Sequence, residues 1–252
     1  QVCQNARLAA TTTATILLKG ETGTGKEIFA LAIQKSSPRA RKPFITLNCA
    51  ALPENLIESV LFGHKKGAFT DSVANTEGVF QAVHEGTLFL DEVNSLPISI
   101  QAKLLRFIET GECLAVGSTE PYNVNVRIIA ATNADLSKQV AEGIFRRDLY
   151  FRLNVVPLEL PPLVQRIDDL EVLIKHFMNY FESKLNIRPP QFSNKALKTL
   201  RSYHWPGNIR ELRNLCERLC FLLPGETVES ENLPDEMKSI YQRTDSSLFT
   251  LP

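Results

Sequence analysis

The chain has 252 residues, 44% of them hydrophobic, enough to bury one sizeable α/β core and a smaller appended domain. Its 28 Lys and Arg balance 28 Asp and Glu, so it lacks the basic excess of a domain that grips nucleic-acid phosphates unaided, and direct sequence-specific DNA binding is not expected. No apolar run approaches the ~20 residues of a membrane-spanning helix, no secretory leader pattern opens the chain, and the scattered cysteines fit reduced thiols in a cytoplasmic protein.

In chain order, β-rich apolar runs at 15–18, 44–48, 87–90, 127–131 and 154–158 alternate with helical patterns such as 98–109, where Ile100, Leu104, Leu105 and Ile108 share one face. Strands that are apolar throughout and separated by helices predict an α/β fold with a five-stranded parallel sheet covered on both sides. After Leu160-Pro161-Pro162 the strand signals stop. The segment 168–185 reads as a long helix, with Leu170, Leu173, Ile174, Phe177 and Phe181 at helical spacing, and 194–203 as a second. The turn at 204–208 introduces a third, lined by Ile209, Leu212, Leu215, Cys216 and Leu219 and ended by Pro224-Gly225. The predicted organisation is an α/β subdomain over 1–161, a small all-helical domain over 162–236 and a polar linker over 237–252. Cys216 and Cys220 stand four apart on the third helix, which suits half a metal site or simple apolar packing. No second Cys or His pair stands at ligand spacing, so packing is the reading taken.

The first run leads into Gly20, Glu21, Thr22, Gly23, Thr24, Gly25, Lys26 and Glu27, and a helical pattern follows. Glycines let successive backbone N–H groups turn toward one anion, the helix N-terminus adds positive potential, and Lys26 reaches the β- and γ-phosphates as a point charge. This is a P-loop for ATP. Glycine-rich turns also occur without phosphate, but the spacing, the lysine and the flanking elements together argue against that here. Glu27 stands where Ser or Thr normally offers a hydroxyl to magnesium. The run 86–90 ends in Asp91 and Glu92, at the sheet edge where ligands bind. Asp91 is the candidate magnesium holder, largely through water, and Glu92 the candidate general base for the attacking water. In isolation, such a pair is as readily a solvated turn or a helix cap. Asn133 ends a further apolar run and is a candidate contact to the γ-phosphate or the water.

Together these segments resemble the central AAA+ ATPase domain of sigma-54-dependent transcriptional activators, the bacterial enhancer-binding proteins. The match is carried by 20–27, including the glutamate after the lysine, by FITLNCAAL at 44–52 and by LFGHKKGAFT at 61–70. It continues through 86–92, 126–133, FRRDLYFRL at 145–153 and WPGNIRELRN at 205–214. The resemblance implies an ATPase subdomain followed by a lid, ATP and magnesium as ligands, and a homo-oligomeric ring with six subunits as the usual number. It implies that Asn48 holds the catalytic glutamate and links it to γ-phosphate sensing, and that Asn133 is the first sensor. Arg146 and Arg152 match arginine fingers that reach into a neighbouring subunit's site, Arg147 is an additional arginine there, and Arg210 matches the second sensor. A guanidinium on a transferring phosphoryl group is worth roughly 10³ to 10⁵ in rate, so a borrowed one makes hydrolysis depend on assembly. The bland alternative makes these arginines surface ion-pair partners.

In the resembled family a GAFTGA loop engages the sigma-54 factor of RNA polymerase. Here the corresponding residues are Gly67, Ala68, Phe69, Thr70, Asp71 and Ser72, with Phe69 as the contact residue and Thr70 as its support. Asp71 and Ser72 depart from the pattern, as does Ala115, which stands where the family carries an arginine in a second pore-facing loop ending near Val126. Two functions are therefore carried forward: a motor that remodels the sigma-54 closed promoter complex, and an ATP-gated oligomeric regulatory module that no longer engages sigma-54 productively. In the family a sensory domain precedes this region and a DNA-binding domain follows it.

Overall fold

The computed structural model describes residues 2–68 and 74–238. These cluster into two compact units, one of 2–21 with 25–160 and one of 22–24 with 161–238.

The first unit opens with helix α1 (Val2–Ala10), which the sequence reading passed over. Strand β1 (Ile16–Lys19), helix α2 (Lys26–Lys35), strand β2 (Phe44–Asn48), helices α3 (Glu54–Phe62) and α4 (Val79–Ala82), and strand β3 (Thr87–Asp91) follow. Next come helix α5 (Ile98–Thr110), the short strands β4 (Glu112–Cys113) and β5 (Tyr122–Asn123), and strand β6 (Arg127–Thr132). Helices α6 (Leu136–Ala141) and α7 (Arg147–Leu153) and strand β7 (Val156–Glu159) complete it. The last strand begins two residues later than the apolar run at 154–158 suggested, because Asn154 ends α7 instead.

Five strands form one parallel sheet in the order β2-β3-β6-β1-β7. Alternation with a period of two sorts their side chains onto two faces. Leu17, Leu88, Leu90, Ile128 and Ala130 join α3, α5 and α7 through Ile57, Leu61, Leu104, Phe107 and Leu149. Ile16, Leu18, Phe89, Ile129 and Ala131 pack on the other side with Ala6, Ala9, Ala10, Ala30 and Ile33 of α1 and α2. Both faces are covered, which is why the strands read as unbroken apolar runs. The N-terminal helix is fastened by buried Arg127, whose guanidinium donates to the carbonyl oxygens of Ala9 at 2.7 Å and Ala10 at 3.1 Å. A cation at those carbonyls also complements the helix dipole.

The second unit contains helices α8 (Leu170–Leu185), α9 (Asn194–Ser202) and α10 (Asn208–Leu222). Its core gathers Ile174, Phe177 and Phe181 from α8, Leu200 from α9, and Leu212, Leu215 and Leu219 from α10. Cys216 and Cys220 lie in this core, and the Cys220 Sγ is 3.6 Å from the Met178 sulfur, which is packing geometry. The helical domain expected from the sequence is present, with one small addition. Strands β8 (Gln191–Phe192) and β9 (Thr227–Val228) form a short parallel pair that ties the segments flanking α9 and α10. Two-residue strands leave no periodic signature, so the sequence reading could not detect them. No helix among the described residues is long and apolar enough to cross a membrane.

Candidate active site

Strand β1 delivers the chain to the glycine loop, and Lys26 opens α2. Gly25 caps that helix at φ 93° and ψ 25°, in the left-handed region that a Cβ penalises. Gly23 has φ +81°, and a Cβ there would lie 2.2 Å from the carbonyl oxygen of Gly207. The Lys26 side chain is buried, and its Nζ donates to the carbonyls of Gly20 at 2.8 Å and Glu21 at 3.0 Å. One ammonium is thus folded inside a glycine turn at the N-terminus of a helix. That donor set suits a polyphosphate. Thr24 is buried, whereas Glu21, Thr22 and Glu27 are exposed.

Parallel pairing places the next residues at the same edge of the sheet as this loop. Asn48 and Asp91 are Cα partners at the ends of β2 and β3, and Asn133 follows the end of β6. Asp91 is half-buried, and its Oδ1 accepts from the Glu92 amide at 3.1 Å. Glu92 has φ 52° and ψ 47°. A left-handed glutamate at a strand end is strained backbone of the kind that accumulates at functional sites. The buried Cys49 lies beside both acids: burial first, then the charges of Asp91 and Glu92, push its thiol up to about 12. Thr132 bridges this edge, its hydroxyl 2.9 Å from the Asn94 Oδ1 in the turn after Glu92.

Asn48 has another task in this structure. Its Oδ1 accepts from the amides of Ala50 at 2.9 Å and Ala51 at 3.1 Å, capping the short turn Cys49–Ala51. It stands on the strand neighbouring the acids, but its side-chain bonds run to its own turn. Asparagine is favoured at such caps for this reason, a signal that the resemblance overshadowed.

The candidate fingers occupy α7 and the residue before it. Arg146 caps α7 through its backbone, and its guanidinium makes a two-point pair with Asp148, at 3.0 Å from Nε and 2.7 Å from Nη2. That guanidinium holds the Asp148 carboxyl below the usual carboxylate range. Arg152 pairs with Glu109 at 3.2 Å. Arg147 lies 5.8 Å from the exposed Phe151 ring. All three face outward, and Ile144, Phe151 and Val155 add exposed apolar surface around them.

Within the second unit, residues 22–24 pack on the first turn of α10. The Gly23 carbonyl accepts from the amides of Ile209 at 2.9 Å and Arg210 at 3.3 Å. The Asn208 Nδ2 donates to the Thr22 carbonyl at 3.2 Å, and Arg166 donates to the Thr24 carbonyl at 2.9 Å. Asn208 is fully buried at φ 52°, and its Oδ1 accepts from the Leu163 amide at 2.7 Å. The sequence reading singled out Arg210, whose side chain is exposed here, and gave Asn208 and Arg166 no part in the site. An asparagine in a Pro-Gly-Asn turn signals left-handed backbone, but only the fold reveals what its amide holds.

Gly67 and Ala68 of the candidate partner loop are described; Phe69, Thr70, Asp71 and Ser72 lie outside the described residues. The base of that loop is joined to the second loop by backbone bonds. Lys65 N donates to Val116 O at 2.9 Å, Val116 N to Gly63 O at 2.9 Å, and His64 and Thr76 exchange bonds at 3.0 and 2.9 Å. The segment flagged for Ala115 is a hairpin, with β4 and β5 antiparallel.

Comparison with known proteins identifies the family and the fold. A family model described as the sigma-54 interaction domain matches residues 1–159, and one described as the AAA+ ATPase lid domain matches residues 164–248. The regulatory protein AtoC of Escherichia coli strain K12 is 46% identical, over 94% of this chain and 51% of its own length. The DNA-binding transcriptional regulator NtrC of Rhizobium meliloti is 45% identical, over 89% of this chain and 46% of its own. A crystal structure of NtrX from Brucella abortus in complex with ATP superposes with a TM-score of 0.86 at 35% identity, covering 98% of this chain and 59% of that one. The chain thus spans about half the length of these relatives. With a P-loop and acidic strand ends on a five-stranded parallel sheet, and a helical lid after it, this chain belongs to the sigma-54 interaction domain family of AAA+ ATPases.

Proposed function

We propose that this chain is the ATP-hydrolysing ring motor of a sigma-54-dependent activator, which remodels the closed promoter complex of sigma-54 RNA polymerase. The observation that carries this reading is the placement of four chain segments at one edge of the first unit's sheet: Gly20, Glu21 and Lys26 after β1, Asn48, the Asp91–Glu92 pair and Asn133. In this reading the loop amides and Lys26 bind the triphosphate, and Glu92 takes the proton of the attacking water. The hard carboxylate oxygens of Asp91 fit magnesium, held largely through water because Glu27 stands where a hydroxyl ligand is usual. Bound there, magnesium would neutralise charge on the phosphate oxygens. Asn133 reads the γ-phosphate, Arg210 contributes as second sensor, and Asn48 couples to Glu92 once it leaves its cap. Arg146 and Arg152 complete the site of the next subunit in a homo-oligomeric ring. Their ion pairs with Asp148 and Glu109 are exposed, so exchanging them for a phosphate is easy. The 67–72 loop is the sigma-54 contact.

The Glu92→Gln variant tests the chemistry. It should retain ATP binding and lose hydrolysis by about 10³-fold or more, read as steady-state phosphate release beside equilibrium nucleotide binding. Wild-type turnover in that variant would remove Glu92 as the base.

One observation favours the second reading, an ATP-gated module without productive sigma-54 contact. Ala115, where the resembled family carries an arginine, borders a cavity of about 410 Å³ beside Lys65, Glu77 and Glu120, so this position offers no charge to either glutamate. Co-elution with sigma-54 in the presence of a transition-state analogue of ATP separates the two. Retention supports the motor, and binding of the analogue without retention supports the module.

A further inference from the structure

One fully buried polar side chain lies outside every role assigned above. Gln101 sits in the first turns of α5 with no exposed surface. Its Nε2 donates to the carbonyls of Leu96 at 2.8 Å and Ile144 at 3.1 Å, and its Oε1 accepts from the backbone amide of Arg146 at 2.8 Å. These three partners come from two distant stretches of chain. Leu96 closes the turn that starts at Glu92, where Ser95 N donates to Glu92 O at 2.9 Å and Leu96 N to Val93 O at 3.2 Å. Ile144 and Arg146 flank Phe145, which is itself buried in the core. The turn that begins at Glu92 is therefore tied at its last residue, Leu96, through a single amide to the Arg146 backbone.

Burying an amide is costly unless its hydrogen bonds are made, and made in a dry environment they are strongly directional. A leucine at position 101 would fill the same space but leave the Leu96 and Ile144 carbonyls and the Arg146 amide without this partner. What the glutamine adds is a fixed distance between the Glu92 turn and the segment that carries Arg146. The Arg146 guanidinium points outward, with 38% of the side chain exposed, while its backbone is pinned. A long side chain on a pinned base can reach one place reproducibly.

We infer that Gln101 is a positioning residue: it sets the Arg146 finger in register with the Glu92 turn of its own subunit, and so links a subunit's own site to the arginine it presents to its neighbour. The inference rests on the ring reading proposed above. Misplacing a catalytic group by about 1 Å can cost about 10²-fold, which sets the expected effect.

The test is a cycle of three variants of this chain, Gln101→Met, Arg146→Ala and the double variant, assayed for ATP hydrolysis at concentrations that saturate assembly. Gln101→Met should lower kcat about 10²-fold and leave KM within about threefold. Because both changes act through one guanidinium, the double variant should be no slower than Arg146→Ala by more than about twofold. Mixed rings supply a readout that a merely structural role would not move. In excess Glu92→Gln subunits, which hydrolyse nothing but carry intact fingers, each Gln101→Met site should regain wild-type turnover, as should each Arg146→Ala site. Fully additive losses, a Gln101→Met kcat within twofold of wild type, or rescue of Arg146→Ala without rescue of Gln101→Met would overturn the inference and leave the ring reading intact. An Arg146→Ala variant with wild-type turnover would sink both.

Discussion

At the ends of β2 and β3, Asn48 and Asp91 are placed by strand register, and Glu92 by a strained turn that immediately follows. On α7 the arginines are placed differently. Their backbones are anchored, but their charged ends lie at the surface in ion pairs with Asp148 and Glu109. One region is preorganised by the sheet itself, and its groups have little freedom left to lose. The other keeps its charge on long side chains held by exchangeable partners, which suits groups that act on a different molecule. The contrast teaches that rigidity is concentrated where bond-making is proposed, and adaptability where subunits are proposed to meet.

Breaking the adaptable side should have the largest effect. Arg146→Ala and Arg152→Ala should each lower kcat by between about 10³- and 10⁵-fold while leaving nucleotide binding near wild type, measured by phosphate release and by equilibrium titration. Equal hydrolysis by dilute monomer and assembled protein would remove the distinction between the two regions. On the rigid side, Lys26→Ala should weaken ATP binding by about a hundredfold, because a charge-assisted contact at a helix N-terminus is lost. Calorimetric titration reads this directly, and unchanged affinity would show that the loop amides suffice.

A smaller effect is expected in the helical unit. Asn208→Ala removes one buried and one part-buried hydrogen bond and puts a Cβ without a polar partner at φ 52°. It should cost about 2 kcal/mol of stability in denaturant unfolding, and Asn208→Gly less, since glycine accepts the backbone conformation. Equal losses would mean that the backbone angle is irrelevant. The smallest effect concerns thiol chemistry. Cys3 is exposed and the other four cysteines are buried, with Cys49 pushed up to about 12 and Cys113 to about 11 by burial. Iodoacetamide at pH 8 should therefore label Cys3 alone in native protein and all five after denaturation, read by mass spectrometry. A raised thiol favours the folded form below its ordinary value of 9.0, and that contribution fades as pH climbs toward about 12. Labelling of native Cys49 would show that the Cys49–Ala51 turn beside the acids opens readily.

The sheet strands, the glycine loop and the acidic pair were legible because each writes a local pattern. A buried parallel strand must be apolar at every position, a phosphate turn needs glycine at fixed offsets, and acids at a strand end interrupt an apolar run. Helix α1 was missed because its buried residues are alanines, Ala6, Ala9 and Ala10, whose small side chains make no run of large apolar residues for a sequence reading to follow. The short β8–β9 pair and the β4–β5 hairpin were missed because two residues make no period.

Local spacing in the amino-acid sequence was sufficient to place the glycine turn before α2 and the acids at the end of β3, since those features are set by backbone geometry over a few residues. Which distant groups meet was decided only on folding. The Asn48 cap is local, but the Gln101 bridge from Leu96 to Arg146 and the Asn208 bridge from Leu163 to Thr22 join residues far apart in the chain. A glutamine or asparagine in a sequence carries no mark of its partners. Its amide acquires meaning when burial removes water and leaves those carbonyls and amides as its only hydrogen-bonding company.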